Sequence, residues 1–342
     1  MKINKYLAFA LTMAMTAGMA ACGSNAASGS NSESDEGKPA SVSKSSESEL
    51  SGSDKVYKIG VLQYMPHDAL DAANEGFFRA LDDLGIKYDK DDQNAGGEQS
   101  ACQTIAETLV NDGKDLIFAI ATPAAQAVAG VTSDIPVVVT AVTDPADAGL
   151  VASNDAPGGN VTGTSDLTPV AEQIALVKKI NPDAKKVGFL YCSAEANSEF
   201  QIGLAKEACK KEGLEYDDYS ISNTNEIQTV VESAVGKVDV LYSPTDNMVA
   251  NAMSTVSMVA NENKIPVIVG EQGMCDNGGL ITYGINYSEL GYKAGQMAAK
   301  ILTGESKPAD MPIEYLSEEQ CKLQINEETE AALGLDLSAL KN

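Results

Sequence analysis

The sequence predicts an α/β fold of two doubly wound parallel-sheet lobes with a cleft between them. Three observations carry that expectation. Strand-then-helix units alternate along the chain, the units are written twice at a near-constant offset, and the 342 residues are 44% hydrophobic, enough to fill two cores. Charge narrows the partners. Lys plus Arg total 24 against 49 for Asp plus Glu, a formal net charge of -25, so nucleic acid and other polyanions are repelled. Arg79 is the only arginine and His67 the only histidine, which removes most of the usual means of phosphate clamping, imidazole catalysis and histidine metal binding.

In chain order, Lys2 and Lys5 precede an apolar stretch from Tyr6 to Ala21, shorter than the roughly 20 residues of a spanning helix and of the kind that directs export. It ends in Met19-Ala20-Ala21-Cys22-Gly23, which resembles a bacterial lipobox, although the usual leucine is replaced by Met19. Residues 1–21 are therefore expected to be a lipoprotein signal peptide and Cys22 the lipidated residue, anchoring the chain to the outer face of the cytoplasmic membrane. An ordinary signal peptide with an incidental cysteine is the alternative. Residues 23–54 are Ser-rich, with one leucine and no aromatic residue, and read as a disordered tether reaching about 30 Å. The other cysteines, Cys102, Cys192, Cys209, Cys275 and Cys321, are odd in number and lack CxxC spacing, so neither a disulfide framework nor a zinc site is expected.

The folded part begins with the apolar run Lys58–Leu62, a helical pattern from Ala69 to Leu84 and Gly85 as a stop. The same unit returns at Lys186–Leu190, with a helix from Glu195 to Glu212 and Gly213 as its stop; Gly60 to Gly188 and Gly85 to Gly213 are both offset by 128. Asp115–Phe118 matches Asp239–Tyr242, and Ile135–Val139 matches Ile265–Val269. Ligands of such sheets bind beyond the carboxyl ends of the strands. Those loops are Gln63–Pro66, Ala121–Ala124 and Ala141–Pro145 in the first copy, and Tyr191–Ser198, Ser243–Asn247 and Gly270–Gly273 in the second. Thr122-Pro123 reads as an N-cap with proline at the first helical position, leaving free N–H groups and a hydroxyl as an anion cradle without arginine. Capping alone accounts for such a pair equally well.

Seven segments carry a family resemblance: KIGVLQYMPHDALDAANEGF, DLIFAIATPAAQA, IPVVVTAVTDPADAGLV, PGGNVTGTSDLTPV, LYCSAEANSEFQ, SPTDNMVANA and YGINYSELGYKAGQMAAKIL. In this order they resemble the ABC transporter solute-binding proteins assigned to tryptophan and tyrosine uptake, across about residues 56 to 335. The resemblance implies the type I periplasmic-binding fold, whose lobes are joined by three crossovers and close on a ligand. The expected lobes are 55–163 plus 284–309 and 164–283 plus 310–342. It also implies an exported, monomeric receptor that hands an amino acid to a membrane permease with its ATPase. The chain departs at Cys192-Ser193, where Asn-Pro is common in the family, and at Glu271-Gln272, where relatives often have Asp-Thr.

An amino acid needs donors for its carboxylate, an anion for its ammonium and a pocket for its side chain. The loops supply Thr122 and Thr143 for the first, and Asp246 for the second with Asp144, Asp166 and Glu195 in reserve; Asp246 is also placed to cap a helix. Tyr64 and Tyr191, at equivalent strand ends, are placed to sandwich an aromatic side chain. The candidate ligand contacts are thus Gln63, Tyr64, Thr122, Ala124, Thr143, Asp144, Asp166, Tyr191, Glu195, Asn197, Ser198, Thr245, Asp246 and Glu271. Tyr283 and Tyr287 bracket a crossover and read as hinge packing, and His67 as part of the rim. A nucleoside or sugar receptor of the same fold and a ligand sensor for a signalling membrane protein are the alternatives. No P-loop, GxGxxG, HExxH or GxSxG is present, so neither catalysis nor a cofactor is expected.

Overall fold

The computed structural model describes residues 55–341. The signal segment, Cys22 and the tether expected before residue 55 lie outside the described residues. Among the described residues no helix is long and apolar enough to cross a membrane.

The first sheet is built from β1 (Tyr57–Gln63), α1 (Asp68–Asp83), β2 (Tyr88–Asn94), α2 (Gln99–Asn111), β3 (Leu116–Ile120), α3 (Thr122–Val131), β4 (Val137–Thr140) and β5 (Val161–Gly163). Its strands run parallel in the order β2-β1-β3-β4-β5. The chain then crosses to α4 (Val170–Ile180), β6 (Lys186–Cys192), α5 (Ala196–Glu212), β7 (Glu215–Ile221), α6 (Ile227–Ala234) and β8 (Val240–Ser243). It continues through α7 (Asn247–Asn251), α8 (Met253–Glu262), β9 (Val267–Val269), α9 (Gln272–Asp276) and β10 (Ile281–Gly284). After β10 it returns to the first sheet as α10 (Tyr287–Leu302), and it ends with β11 (Lys322–Ile325) and α11 (Glu327–Leu333).

The second sheet has the order β11-β10-β9-β8-β6-β7. Leaving out β11, which pairs antiparallel with β10, its winding repeats that of the first sheet strand for strand. Each sheet therefore reverses its strand order once, between β1 and β3 in one and between β6 and β8 in the other. Those reversals are where a doubly wound sheet opens a crevice for a ligand.

Burial explains the strand alternation. In β6, Phe189 and Tyr191 enter one apolar cluster of the second lobe with Ile202 and Tyr242, while Leu190 and Cys192 enter another with Leu241 and Val256. Both faces of the sheet are covered, so its central strands are apolar throughout. In the first lobe Phe77 of α1 stacks on Phe118 of β3 with ring centroids 3.8 Å apart. The returning α10 is held on α1 by close backbone approach: a Cβ on Gly76 would meet the Ser288 carbonyl, and one on Gly291 the Ala73 carbonyl. Cys102 and Cys209 are buried in α2 and α5.

Candidate ligand-binding site

The carboxyl ends of the strands in the two sheets face each other, and the lobes touch. Gln201 of α5 donates to the Thr143 hydroxyl at 3.3 Å, and the hydroxyls of Thr143 and Thr245 lie 3.3 Å apart. Between the lobes runs a narrow cavity lined by His67, Leu70, Ala141, Asp166, Thr245, Asp246, Asn247, Ala250, Glu271 and Tyr287. Three carboxylic acids face this space with no lysine or arginine among its walls.

The four buried acids around it have different surroundings. Asp246 is the N-cap of α7: its carboxylate accepts from Val249 N at 2.8 Å, from Cys192 N at 2.6 Å and from the Ser198 hydroxyl at 2.6 Å. Glu195 accepts from the backbone N–H groups of Asn247 and Met248 and from the side-chain amides of Asn247 and Asn197. Both are committed to holding α7, and burial pushes both carboxyls above the ordinary range. Glu271 caps α9 through Gly273 N and Met274 N, and burial, opposed by those amides, pushes it up to about 7. Asp166 differs. It sits in the crossover after β5 and is 4% exposed. Among the described residues, its donors from elsewhere in the chain are two hydroxyls, Thr143 at 3.0 Å and Tyr287 at 2.6 Å, beside its own backbone N–H. Burial raises its carboxyl, with these two hydroxyls acting against the shift.

On the first-lobe side, two strand-end alanines adopt positive φ, Ala121 at 78° after β3 and Ala141 at 54° after β4. Left-handed backbone costs a non-glycine residue about 1 to 3 kcal/mol, and such strain concentrates at ligand sites. Ala121, not Thr122, is the N-cap of α3; Thr122 occupies the first helical turn. The Thr122 hydroxyl is buried and has no hydrogen-bond partner. The N–H groups of this turn have no acceptor within the helix. The second-lobe Asn197 also keeps an unpartnered side-chain oxygen.

Of the residues proposed from the sequence, Asp166, Thr245, Asp246 and Glu271 line the cavity, and Thr143 joins two of them. Glu195, Asn197 and Ser198 stand one hydrogen bond behind its wall. Gln63 turns inward, donating to the Met65 carbonyl and to Asp71. Asp144 is half-buried and caps its own turn through Ala146 N and Asp147 N. Ala124 is buried in the first turn of α3 beside Thr122. Tyr64 and Tyr191 belong to the cores of different lobes and form no sandwich. The Tyr64 hydroxyl is raised by burial and then by Glu195, which puts it near the second lobe; the charges around Tyr191 are Asp218 and Glu199. Tyr287, expected as hinge packing, lines the cavity and donates to Asp166. His67 also lines it, and burial lowers its pKa.

Two lobes of the same winding, closed over an acidic cavity at both strand-order reversals, define a protein built to enclose a small solute. Residues 58–339 match the model of the ABC transporter substrate binding protein family. A tyrosine-binding protein of Clostridioides difficile (strain R20291) is 44% identical over 302 residues, 87% of each chain. The chain belongs to the family of ABC transporter substrate-binding proteins. A Streptococcus pneumonia ABC domain solved in complex with L-Trp superposes with a TM-score of 0.80 at 38% identity, over 84% of this chain and 98% of the other. The ligand-free, open structure of a substrate binding protein with adhesive properties from Clostridium difficile gives 0.63 at 46% identity, over 82% and 96%. The better fit to the liganded chain, despite its lower identity, agrees with the lobes being in contact here.

Proposed function

We propose that this chain is the exported binding component of an ABC importer, that it captures an aromatic amino acid, tyrosine or tryptophan first, and that it delivers the solute to a permease driven by an ATPase. One observation carries the ligand class. Asp166 is a buried carboxylate that accepts from two hydroxyls of other residues, in a cavity whose walls hold no lysine or arginine. A ligand ammonium completes it, since a buried charge is costly unless it is paired.

The carboxylate of the same ligand meets the first turn of α3, where the Thr122 hydroxyl and the N–H groups of Thr122 and Ala124 favour an anion. Leu70, Ala141 and Ala250, with the Tyr287 ring, offer the apolar surface for its side chain. Because the cavity is enclosed by both lobes, they part to admit a solute and close behind it. A relative named for tyrosine binding and a related chain solved with L-Trp support this reading. A lipid on Cys22 keeps the receptor, a monomer, on the outer face of the cytoplasmic membrane.

Calorimetric titration of ligand-stripped protein with amino acids, nucleosides and sugars tests the assignment. L-Tyrosine, L-tryptophan or L-phenylalanine is expected to bind most tightly. Binding confined to nucleosides or sugars overturns the ligand class and leaves the family assignment standing.

A further inference from the structure

Three contacts join the lobes at the edge of the cavity, one between two residues of its wall, His67 and Asn247, and two beyond it. All involve the short first-lobe segment Pro66-His67-Asp68, which leads from β1 into the first residue of α1, and second-lobe residues of α7 and of the turn after α9. His67 Nε2 lies 3.2 Å from Asn247 Oδ1. Asn251 Nδ2 donates to the Pro66 carbonyl at 3.1 Å. Asn277, which follows α9, donates from Nδ2 to Asp68 Oδ2 and to the Gly273 carbonyl of α9, each at 2.9 Å.

The orientation of the middle asparagine is fixed from behind. Asn247 Nδ2 donates to Glu195, so its oxygen is the end offered to His67, and the imidazole must carry its proton on Nε2. Pro66, Asp68, Asn251 and Asn277 are exposed and line no part of the cavity. They do line a groove on the outer side of the His67 ring, together with Ala250, Met253 and Ser254. The imidazole therefore stands between the cavity and the outside.

We infer that Pro66-His67-Asp68 is a latch whose bonds to Asn247, Asn251 and Asn277 set the population of the closed state, making Asn251 and Asn277 affinity-determining residues that never touch the ligand. A receptor that binds in one conformation has an apparent affinity scaled by the fraction of molecules able to adopt it. Bonds made only on closure raise that fraction by one factor for every ligand. They also slow release, since lobes that part at this rim must break them first. The inference rests on the two-lobed capture proposed above but not on the identity of the solute.

The pair Asp68–Asn277 allows a charge-swap test. Asn277→Asp opposes two carboxylates across this contact, while the double variant Asp68→Asn/Asn277→Asp restores one donor and one acceptor in exchanged places. Hydrogen exchange of the ligand-free protein is expected to speed up in residues 141–147 and 195–202 of Asn277→Asp and to return to the wild-type rate in the double variant. Calorimetry with L-tyrosine and L-tryptophan is expected to show about tenfold weaker binding of both in the single variant, the size of a water-screened repulsion at this separation. The double variant should recover most of that loss, the bond to the Gly273 carbonyl staying broken in both variants. Asn251→Ala, which leaves α9 untouched, should lose a few-fold for both ligands through faster dissociation.

Unchanged exchange and affinity in Asn277→Asp and Asn251→Ala would overturn the latch. So would a double variant no better than the single one, or a loss that differs severalfold between ligands. Restored exchange in the double variant, with no binding of either amino acid, would uphold the latch and reject the proposed ligand class.

Discussion

Replacing Asp166 by asparagine separates the ligand's charge partner from the surrounding acids. Asp166 accepts from two hydroxyls and from no backbone amide but its own, so Asp166→Asn keeps a group able to accept from Thr143 while its new N–H groups face Tyr287. The fold should tolerate this, with ligand-free stability within about 1 kcal/mol of wild type. Binding should not. Removing one member of a desolvated, hydrogen-bonded charge pair costs about 2 to 5 kcal/mol, roughly 30-fold to several thousandfold in Kd. Asp246→Asn should behave in the opposite way. Its carboxylate takes three donors, two of them backbone N–H groups, so losing one acceptor oxygen costs about 1 to 3 kcal/mol of stability. Its loss of affinity should stay below about tenfold. Calorimetric affinity and denaturant melts on both variants are the assay. Wild-type affinity in Asp166→Asn, or a larger loss in Asp246→Asn, would refute the assignment of the ammonium to Asp166.

Glu271 makes the stability of the protein sensitive to pH. Its folded pKa of about 7 lies above the ordinary 4.5, so the folded state holds more protons between those values and stability falls as pH rises from about 5 to about 7. Glu271→Gln should make that part of the melting-temperature profile shallower, with Glu195, raised to about 8, still giving a slope of the same sign; an unchanged slope rejects the cause. Thr122→Val should leave stability within about 1 kcal/mol, because the hydroxyl has no partner to lose, and should weaken amino-acid binding about three- to tenfold by calorimetry. Gly291→Ala drives a methyl into the Ala73 carbonyl and should cost at least about 1 to 3 kcal/mol in denaturant melts. Cys22→Ala should move the protein out of the membrane fraction and abolish fatty-acid labelling, whereas unchanged retention and labelling exclude the lipid anchor.

The duplicated α/β pattern was legible because central strands covered on both faces are written as unbroken apolar runs, such as Leu116–Ile120 and Val240–Ser243. The edge strands were not. β2 reads YDKDDQN and β7 EYDDYSI, exposed and acidic, with no hydrophobic run to announce them. Gly85 and Gly213 ended their helices in left-handed conformations as the stop signal implies.

At the site, residue type and strand-end position singled out Asp166, Thr245, Asp246 and Glu271. They did not rank them. Asp246 follows a strand and precedes a helix, which suits a ligand contact and a helix cap alike, and only its three donors separate the two. The role proposed for Asp166 rests partly on its bond from Tyr287, 121 residues away, which local pattern cannot reveal. Thr122 looked like a cap, yet the left-handed Ala121 takes that place and leaves the hydroxyl free. The Tyr64–Tyr191 sandwich rested on equivalent strand ends, and the pleat points Tyr191 into its own lobe.

The most direct measurement is a crystal structure of the protein with the ligand that it retains through purification. An aromatic amino acid is expected, with its ammonium about 3 Å from the Asp166 carboxylate and its carboxylate at the first turn of α3 beside Thr122. A ligand without an ammonium, or an ammonium held away from Asp166, would contradict the account.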